Sequence, residues 1–423
     1  MLSRNDNDLM CRTGRDTPMG KAMRHFWIPA LLSSELPEPD CDPVHVELLG
    51  ENFVAFRDTE GNVGLLDEMC CHRGVSLTLG RAENCGLRCI YHGWLFAADG
   101  TILETPNIPD PKYKSRFKAK SFPVKEAGGV VWTYIGKSAD MPSFYDFPFI
   151  GAADDKILPT VQIIGCSYVQ VLEGLLDSSH LSILHISQFR HEALPDIKFV
   201  QNTGHMQHDA APRIEAEETQ FGLHYGAQRI FGEKAETNVT AFISPFFILN
   251  PNDIYMAIVP MTDEKCAFYS IWYDGVQDYG LEPLRSEQLR TVGLDRLEDC
   301  GMTRKSFYTS ARASRANGFR QDRGQMLAGH HTGLGSFVQE DAFICMSAGG
   351  LRDRSYEHLG TADAAIAQMY RSLLKSARQV EQGGKPIAYQ MSVANLRGGR
   401  FSLPVGTDWR SVVPGNAAQT KVA

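Results

Sequence analysis

The chain has 423 residues, 43% of them apolar and 22% charged, an ordinary globular composition with length enough for two domains. A net charge of −8 argues against nucleic acid as the main partner, and neither a basic-then-apolar leader nor an apolar run of membrane-spanning length occurs, so no membrane partner is expected. Ten cysteines are scattered instead of framing a small secreted scaffold, which leads us to expect a cytoplasmic protein.

In chain order, VHVELLG (44–50), NFVAFRD (52–58) and VGLLDEM (63–69) are short β-rich runs, with a turn at Thr59 to Gly61 between the last two. The next stretch, CCHRGVSLTLGRAENCGLRCIYHGWLF (70–96), gathers metal-binding residue types: Cys70-x-His72 is followed by Cys89-x-x-His92. Each half offers one thiolate and one imidazole, with Gly74 or Gly93 soon after the histidine. Two Cys and two His can hold zinc tetrahedrally, but zinc fingers usually pair like with like along the chain. One of each per half suits a two-iron cluster in which two thiolates hold one iron and two imidazoles the other. Cys71 and Cys85 are expected to be free thiols, since a reducing compartment disfavours disulfides. WLFAADGTILE (94–104) carries a hairpin signal at Asp99-Gly100, and KSFPVKE (120–126) and GGVVWTYIG (128–136) continue the β pattern. This predicts a small all-β module with its core at about 40–140, and MPSFYDFPFI (141–150) reads as its exit linker.

VLEGLLDSSHLSILHISQF (171–189) contains Glu173, Asp177, His180 and His185. Leu172, Leu175, Leu176 and Leu184 recur at helical spacing, predicting a helix with one buried face. Glu173 and Asp177 share a face of it, and Asp177 lies near His180. His180 and His185 are about 140° apart on an ideal helix, so they meet on one metal only if the helix ends, bends or bulges between them. Two imidazoles and a carboxylate would form the facial triad of a non-haem Fe(II) site, with positions open for dioxygen. Asp177 is one candidate for that carboxylate, and two unconnected helix histidines are the bland alternative.

RIEAEETQFGLHYGAQRIF (213–231), NVTAFISPFFILN (238–250) and IYMAIVPMT (254–262) alternate as the strands of an antiparallel sheet would. ADAAIAQMYRSLLKSARQVEQGG (362–384) predicts a helix with Ile366, Met369, Tyr370 and Leu373 on one side and Gly-Gly closing it. The tail after about Pro414 is expected to fray.

The string C-x-H-R-G with C-x-x-H-G-W, at 70–94, resembles the Rieske [2Fe–2S] motif, and D-x-x-H-x-x-x-x-H, at 177–185, resembles the mononuclear iron motif of Rieske oxygenases. The stretches at 13–51, 314–326 and 331–366 are similar to phthalate dioxygenase-like oxygenase (alpha) components, so the resemblance covers nearly the whole chain. It implies an α+β fold: an all-β Rieske domain within 1–150, then a helix-grip catalytic domain, 151–423, in which an antiparallel sheet grips a long helix. It implies one [2Fe–2S] cluster per subunit on Cys70, His72, Cys89 and His92, and one mononuclear Fe2+ per subunit on His180, His185 and a distant aspartate. Matching the later Asp-Arg and Leu-Gly-x-x-Asp elements places Asp341 at that aspartate. The sequence departs from the group beside it: Glu340 stands where Gln is frequent and is a rival ligand, and Met346 stands where Glu is frequent. Asp177 would then link the iron site to a cluster histidine of the neighbouring subunit, carrying electrons between subunits, with Glu173 a second candidate for the catalytic machinery.

The activity implied is that of a terminal oxygenase. A separate NADH-dependent reductase, with or without a ferredoxin, would feed the cluster single electrons, and O2 and an aromatic acid would react at the iron. The resemblance implies a homo-oligomer, a head-to-tail trimer or a multiple of trimers, closing as C3. A carboxylate in an apolar pocket calls for a fixed cation, for which Arg213 and Arg229 are the candidates, with His224 and Asn250 adding hydrogen bonds. The few cations across 213–250 disfavour a vicinal diacid such as phthalate. O-demethylation of a methoxylated, lignin-type aromatic acid is expected ahead of ring hydroxylation or cis-dihydroxylation of a phthalate- or chlorobenzoate-like acid. A Rieske electron carrier without oxygenase activity would need no second iron and no residues beyond about 150, so the long remainder speaks against it.

Overall fold

Alternation and turn chemistry build the first unit, Arg24–Phe144, from ten short strands in a computed structural model that describes residues 2–188, 206, 208–251, 253–310 and 312–413. These are β1 (Ile28–Leu32), β2 (Val44–Leu48), β3 (Glu51–Arg57), β4 (Val63–Asp67), β5 (Arg81–Glu83), β6 (Gly86–Arg88), β7 (Leu95–Phe96), β8 (Ile102–Glu104), β9 (Val124–Ala127) and β10 (Val130–Thr133). They pair antiparallel in three sheets, ordered β1-β10-β9, β2-β3-β4 and β5-β6-β7-β8. Between β7 and β8 the Asp99-Gly100 turn forms as its residues require. Gly100 takes a φ of +84°, and Asp99 Oδ1 accepts from the Thr101 amide at 2.8 Å. Val54, Phe56, Leu66, Leu77, Leu87, Trp94 and Phe96 pack into one core around Cys70 and Cys89. Each large side chain so buried stabilises by about 1.5–3 kcal/mol.

The second unit joins Met1–Met23 to Tyr145–Ala423. The expected first domain, 1–150, is thus corrected at both ends. Near the start, α1 (Arg4–Cys11) and α2 (Pro18–Met23) bury Met10, Cys11, Met19 and Met23 in the second unit. The backbone carbonyl of Met10 accepts from Tyr168 Oη at 2.9 Å, and Asn7 Oδ1 accepts from Arg354 Nη1 at 3.0 Å. Nothing in the composition of those residues distinguishes them from a lead-in to the β module. At the other end the boundary falls inside 141–150, because Phe147 and Phe149 are buried and stack at 5.3 Å instead of idling in a linker.

An antiparallel sheet dominates this unit. Its strands are β11 (Leu158–Ile164), β12 (Arg213–Thr219), β13 (Gly222–Phe231), β14 (Lys234–Ile243), β15 (Phe247–Asn250), β16 (Ile254–Thr262), β17 (Lys265–Trp272) and β18 (Gly399–Pro404). The order is β11-β17-β16-β15-β14-β13-β12, with β18 pairing the first part of β14. Gly226 on β13 lets the C-terminal segment close over the sheet, since a Cβ there would lie 2.5 Å from the ring of buried Trp409. Helices α3 (Tyr168–Leu176) and α4 (Phe337–Ser347) pack on each other, and α3 also meets β16 and β17. A long helix, α5 (Ala364–Glu381), runs along β12 and β13 where the sequence predicted it.

The helix predicted through 171–189 stops early. Asp177 caps α3 in an extended conformation (φ −94°, ψ 110°), and only a short 3-10 turn, His180–Ser182, follows. The helix thus ends ahead of both histidines and not between them, so the 140° separation of an ideal helix does not apply to His180 and His185. Among the described residues no helix is long and apolar enough to cross a membrane. All ten cysteines are free, Cys71 exposed and Cys85 half-buried. The tail after about Pro414, expected to fray, lies outside the described residues.

Candidate active site: two metal-binding constellations

In the β unit the two halves of the 70–92 motif fold as matching loops. Gly74 N donates to Cys70 O at 2.8 Å and Gly93 N to Cys89 O at 3.0 Å, with both glycines in the left-handed region (φ +69° and +74°). The cysteine amides close each loop from the other side, Cys70 N to Val75 O at 2.8 Å and Cys89 N to Trp94 O at 2.9 Å. Cys70 and Cys89 are thereby buried side by side, and the His72 and His92 rings sit 4.6 Å apart. His72 stacks on Trp94 at 4.5 Å and 4°, and Trp94 is held by Asn107 through a 2.8 Å hydrogen bond from Nε1. The set fits a metal cluster. Nδ1 of His92 is buried without a hydrogen-bond partner. Burial, with the neighbouring Cys89, pushes the Cys70 thiol up to about 12, so thiolates form here only against a positive charge.

In the larger unit His180, His185 and Asp341 come together, each with one ligand atom within 4.8 Å of the others. Nε2 of His180 and Nε2 of His185 face the same oxygen, Asp341 Oδ1, at 3.5 and 3.0 Å. Two successive residues of α4 therefore hold the two nitrogens of one ring, because Glu340 Oε2 lies 2.8 Å from His185 Nδ1. Glu340 also accepts from Thr332 Oγ1 at 2.5 Å and Gln188 Nε2 at 3.3 Å, so it is a support for His185 and not a member of the group. Asp177 stands behind His180, with Oδ2 3.5 Å from Nδ1 and Oδ1 accepting from the Ser179 amide at 2.7 Å and hydroxyl at 2.6 Å. Burial favours the neutral His180 ring, yet Asp177 and Asp341 hold it up to about 10. His185 and His180 in turn hold Asp341 well below the carboxylate range despite its burial. Asp177 and Asp341 together draw positive charge to this point, and a divalent cation where the ligand atoms converge would supply it.

Three expected site residues are placed elsewhere. Arg213 is exposed on the sheet edge and donates from Nε to Glu215 at 2.9 Å, so it is a surface residue. Arg229 is fully buried but spends its guanidinium on the turn that carries His180: Nη2 donates to Ser178 O at 2.6 Å, Nη1 to Ser178 Oγ at 3.1 Å, and Nε to Asp209 O at 3.1 Å. It positions the turn and does not line the cavity. Glu173 takes no part in the His180 group: its two oxygens accept from Arg354, from Tyr370 Oη at 2.6 Å and from Arg352 Nη2 at 2.7 Å, an ionic lock between α3 and the chain after α4.

Beside His180 and Asp341 opens an apolar cavity between α3, α4 and one face of the sheet. The lining strand residues recur at every second position, as in Gln162 and Ile164, Asn238 and Thr240, and Phe268, Ser270 and Trp272. Asn250 lines it as expected, whereas His224 packs against Phe221 and is pushed down to about 4 by burial. Sequence reading missed Gln162 and Asn238, for which the available signal was a neutral amide recurring among apolar alternate positions.

Residues 26–123 match the family model described as "Rieske [2Fe-2S] domain", and residues 133–421 match "LigXa C-terminal domain like". The chain is 35% identical over 423 residues to the phthalate 4,5-dioxygenase oxygenase subunit of Pseudomonas putida, across 97% of this chain and 94% of that one. The chain belongs to the Rieske oxygenases. It is similar also to the 3-chlorobenzoate-3,4-dioxygenase oxygenase subunit of Comamonas testosteroni (32% identity; 96% of this chain, 96% of that one). The 5,5'-dehydrodivanillate O-demethylase oxygenase subunit of Sphingobium sp. (strain NBRC 103272 / SYK-6) is 28% identical, over 92% of this chain and 83% of its own. The crystal structure of dicamba monooxygenase bound to dicamba shares the fold, with a TM-score of 0.55 at 18% identity over 85% of this chain and 98% of that one. As a Rieske oxygenase the protein is an oxidoreductase with a Rieske [2Fe–2S] domain and a catalytic domain of antiparallel sheet and helices. The electron-carrier alternative, which left the second unit without a purpose, falls.

Proposed function

We propose that this chain is the terminal component of a multicomponent system that oxidises an aromatic substrate with O2, at an Fe2+ held by His180, His185 and Asp341. The observation that carries the reading is the opening of this three-residue group onto an apolar cavity. When bound, the cluster on Cys70, His72, Cys89 and His92 supplies single electrons, drawn from NADH by a separate reductase with or without a ferredoxin, and the iron supplies dioxygen activation.

The chain's own residues do the positioning. Glu340 accepts the Nδ1 proton of His185 and so fixes the tautomer whose Nε2 faces Asp341, while the Asp177 carboxylate, 3.5 Å from Nδ1 of His180, favours a proton on that nitrogen by its charge. Arg229 holds the Ser178–Ser182 turn, and the apolar wall keeps water away from the reacting ring. We assign Asp177 the further role of receiving electrons from the cluster of a neighbouring subunit in a head-to-tail trimer.

O-demethylation of a methoxylated aromatic is the first reading. An apolar cavity with neutral polar groups suits a methoxyarene, and among its described lining residues there is no Lys or Arg to meet the two carboxylates of a phthalate. Ring cis-dihydroxylation is the second reading, supported by the two relatives named dioxygenases, which are more similar than the one named O-demethylase. Supplying methoxyarenes and phthalates with a surrogate reductase and NADH tests both: formaldehyde plus a phenol supports the first, a cis-dihydrodiol the second.

A further inference from the structure

Cations occupy every second position of KYKSRFKAK (112–120), with no carboxylate among them, in a chain whose net charge is −8. The stretch belongs to the β unit, and Lys112, Lys114, Arg116, Lys118 and Lys120 are all exposed. Among the described residues three carboxylates reach these cations: Asp110 meets Arg116 at 2.9 Å, Asp99 meets Lys118 at 3.0 Å and Asp67 meets Lys120 at 3.6 Å. Lys114 gives its ammonium to the Leu103 carbonyl, which leaves its charge in place. Exposed pairs of this kind are weak and exchange readily for another carboxylate. A positive patch therefore stands on a negative molecule.

The inner side of the same stretch leads to the cluster motif. Tyr113 packs against the core that holds Cys70 and Cys89, and its ring meets Trp94 edge-on at 6.1 Å. Trp94 in turn stacks on His72 at 4.5 Å. Phe117, 49% exposed among the cations, lies 5.2 Å from the Tyr113 ring. Backbone hydrogen bonds fix the stretch to its neighbours, Ala119 N to Gly100 O at 2.8 Å and Asp67 N to Lys120 O at 2.9 Å. A molecule seated on the cations thus reaches a cluster ligand through two rings in mutual contact. An electron donor must also bind briefly and leave, which favours exposed charge over a large apolar interface.

We propose that residues 112–120 are the docking surface for the protein's electron donor, an acidic [2Fe–2S] carrier of the ferredoxin type. One electron passes from the reduced carrier to the oxidised cluster, and no atom is transferred. The proposal rests on the reading of this chain as a component fed with electrons from outside, and it names where they enter.

The test uses the intact protein with both metals, mixed anaerobically and without substrate with a reduced plant-type [2Fe–2S] ferredoxin of net negative charge. Such a ferredoxin has a lower potential than a Rieske centre, so the electron runs downhill. The rate of cluster reduction, read by stopped-flow absorbance, is expected to fall at least about 10-fold between about 50 and about 500 mM NaCl. Lys112→Glu with Lys114→Glu should lower it about 10-fold at low salt and leave it unchanged at high salt. Arg285→Glu with Arg290→Glu makes the same charge change at exposed positions of the second unit and should stay within about twofold of the unaltered protein. Cluster EPR and iron content check that each variant is intact. A rate independent of salt overturns the proposal, as does an equal loss from both pairs of substitutions or a ferredoxin that fails to reduce the cluster. A changed oligomeric state in the Lys112 and Lys114 variant, with its rate unaltered, gives the patch to a second copy of the chain and overturns it as well. Because only cluster reduction is read, a full system that forms neither formaldehyde nor a dihydrodiol sinks the functional reading and leaves this one standing.

Discussion

Nδ1 of His185 lies 2.8 Å from Oε2 of Glu340, and both side chains are completely buried. The next residue of the same helix, Asp341, meets the other nitrogen of that ring at 3.0 Å. Successive helix residues point about 100° apart, so α4 can grip one imidazole from two sides only because His185 enters between them. Glu340→Gln leaves one acceptor where two oxygens served three donors. We expect iron affinity to fall about 10-fold or more, with the cluster spectrum unchanged, measured by Fe2+ titration of the apoprotein.

Arg229 and Arg213 separate a positioning role from a substrate role. Arg229→Met should strip the donors from the Ser178–Ser182 turn and lower unfolding stability by about 2–4 kcal/mol, with loss of mononuclear iron. Arg213→Gln, at the exposed edge, should change neither stability nor KM beyond error. Urea unfolding and steady-state kinetics check both, and a raised KM in Arg213→Gln with stability intact would return that residue to the substrate site.

His180→Ala, His185→Ala and Asp341→Ala should each abolish turnover and remove the mononuclear iron while the cluster remains reducible. Iron analysis together with the cluster's EPR signal measures both parts. A fully active Asp341→Ala would give the third ligand to Asp177, the other carboxylate touching His180.

Replacing His72 with Cys should lower the cluster potential by about 200 mV or more and abolish its Rieske EPR signature, because imidazole ligation raises the potential. The stack of His72 on Trp94 gives a graded companion. Trp94→Leu frees the ring, and the EPR lines are expected to broaden without a change of cluster type.

Asp177→Asn keeps the shape of the contact with His180 and removes its charge. Both metals should be retained while electron transfer between them slows sharply, seen as slow cluster oxidation in a single turnover. Normal cluster oxidation would take Asp177 out of the electron path.

The cluster loops were legible because their chemistry is local: a metal-binding pair, a sharp turn and a glycine whose backbone only glycine adopts cheaply. The five-residue spacing of His180 and His185 demanded an end, bend or bulge between them, whereas α3 stops at Leu176, ahead of both, a position no local pattern reported. Arg229 was misread because β13 is buried on both faces for most of its length, so period-two alternation cannot say which way a residue points. Glu340 was read as a rival to Asp341 because sequence adjacency hides a rotation of 100°. The ionic lock on Glu173 needs Arg352, Arg354 and Tyr370, nearly 200 positions away, and no local pattern reports such a partner.

The chain starts in the catalytic unit, leaves it at Met23, builds the β unit and returns at Tyr145. In covalent terms the electron-transfer module is a cassette spliced into its host by two seams, not a leader fused at one. Exchanging it with a relative's module therefore requires cutting at both 23/24 and 144/145. A chimera joined at a single point near residue 150 would carry off α1 and α2, leaving Tyr168 and Arg354 facing the place those helices had filled.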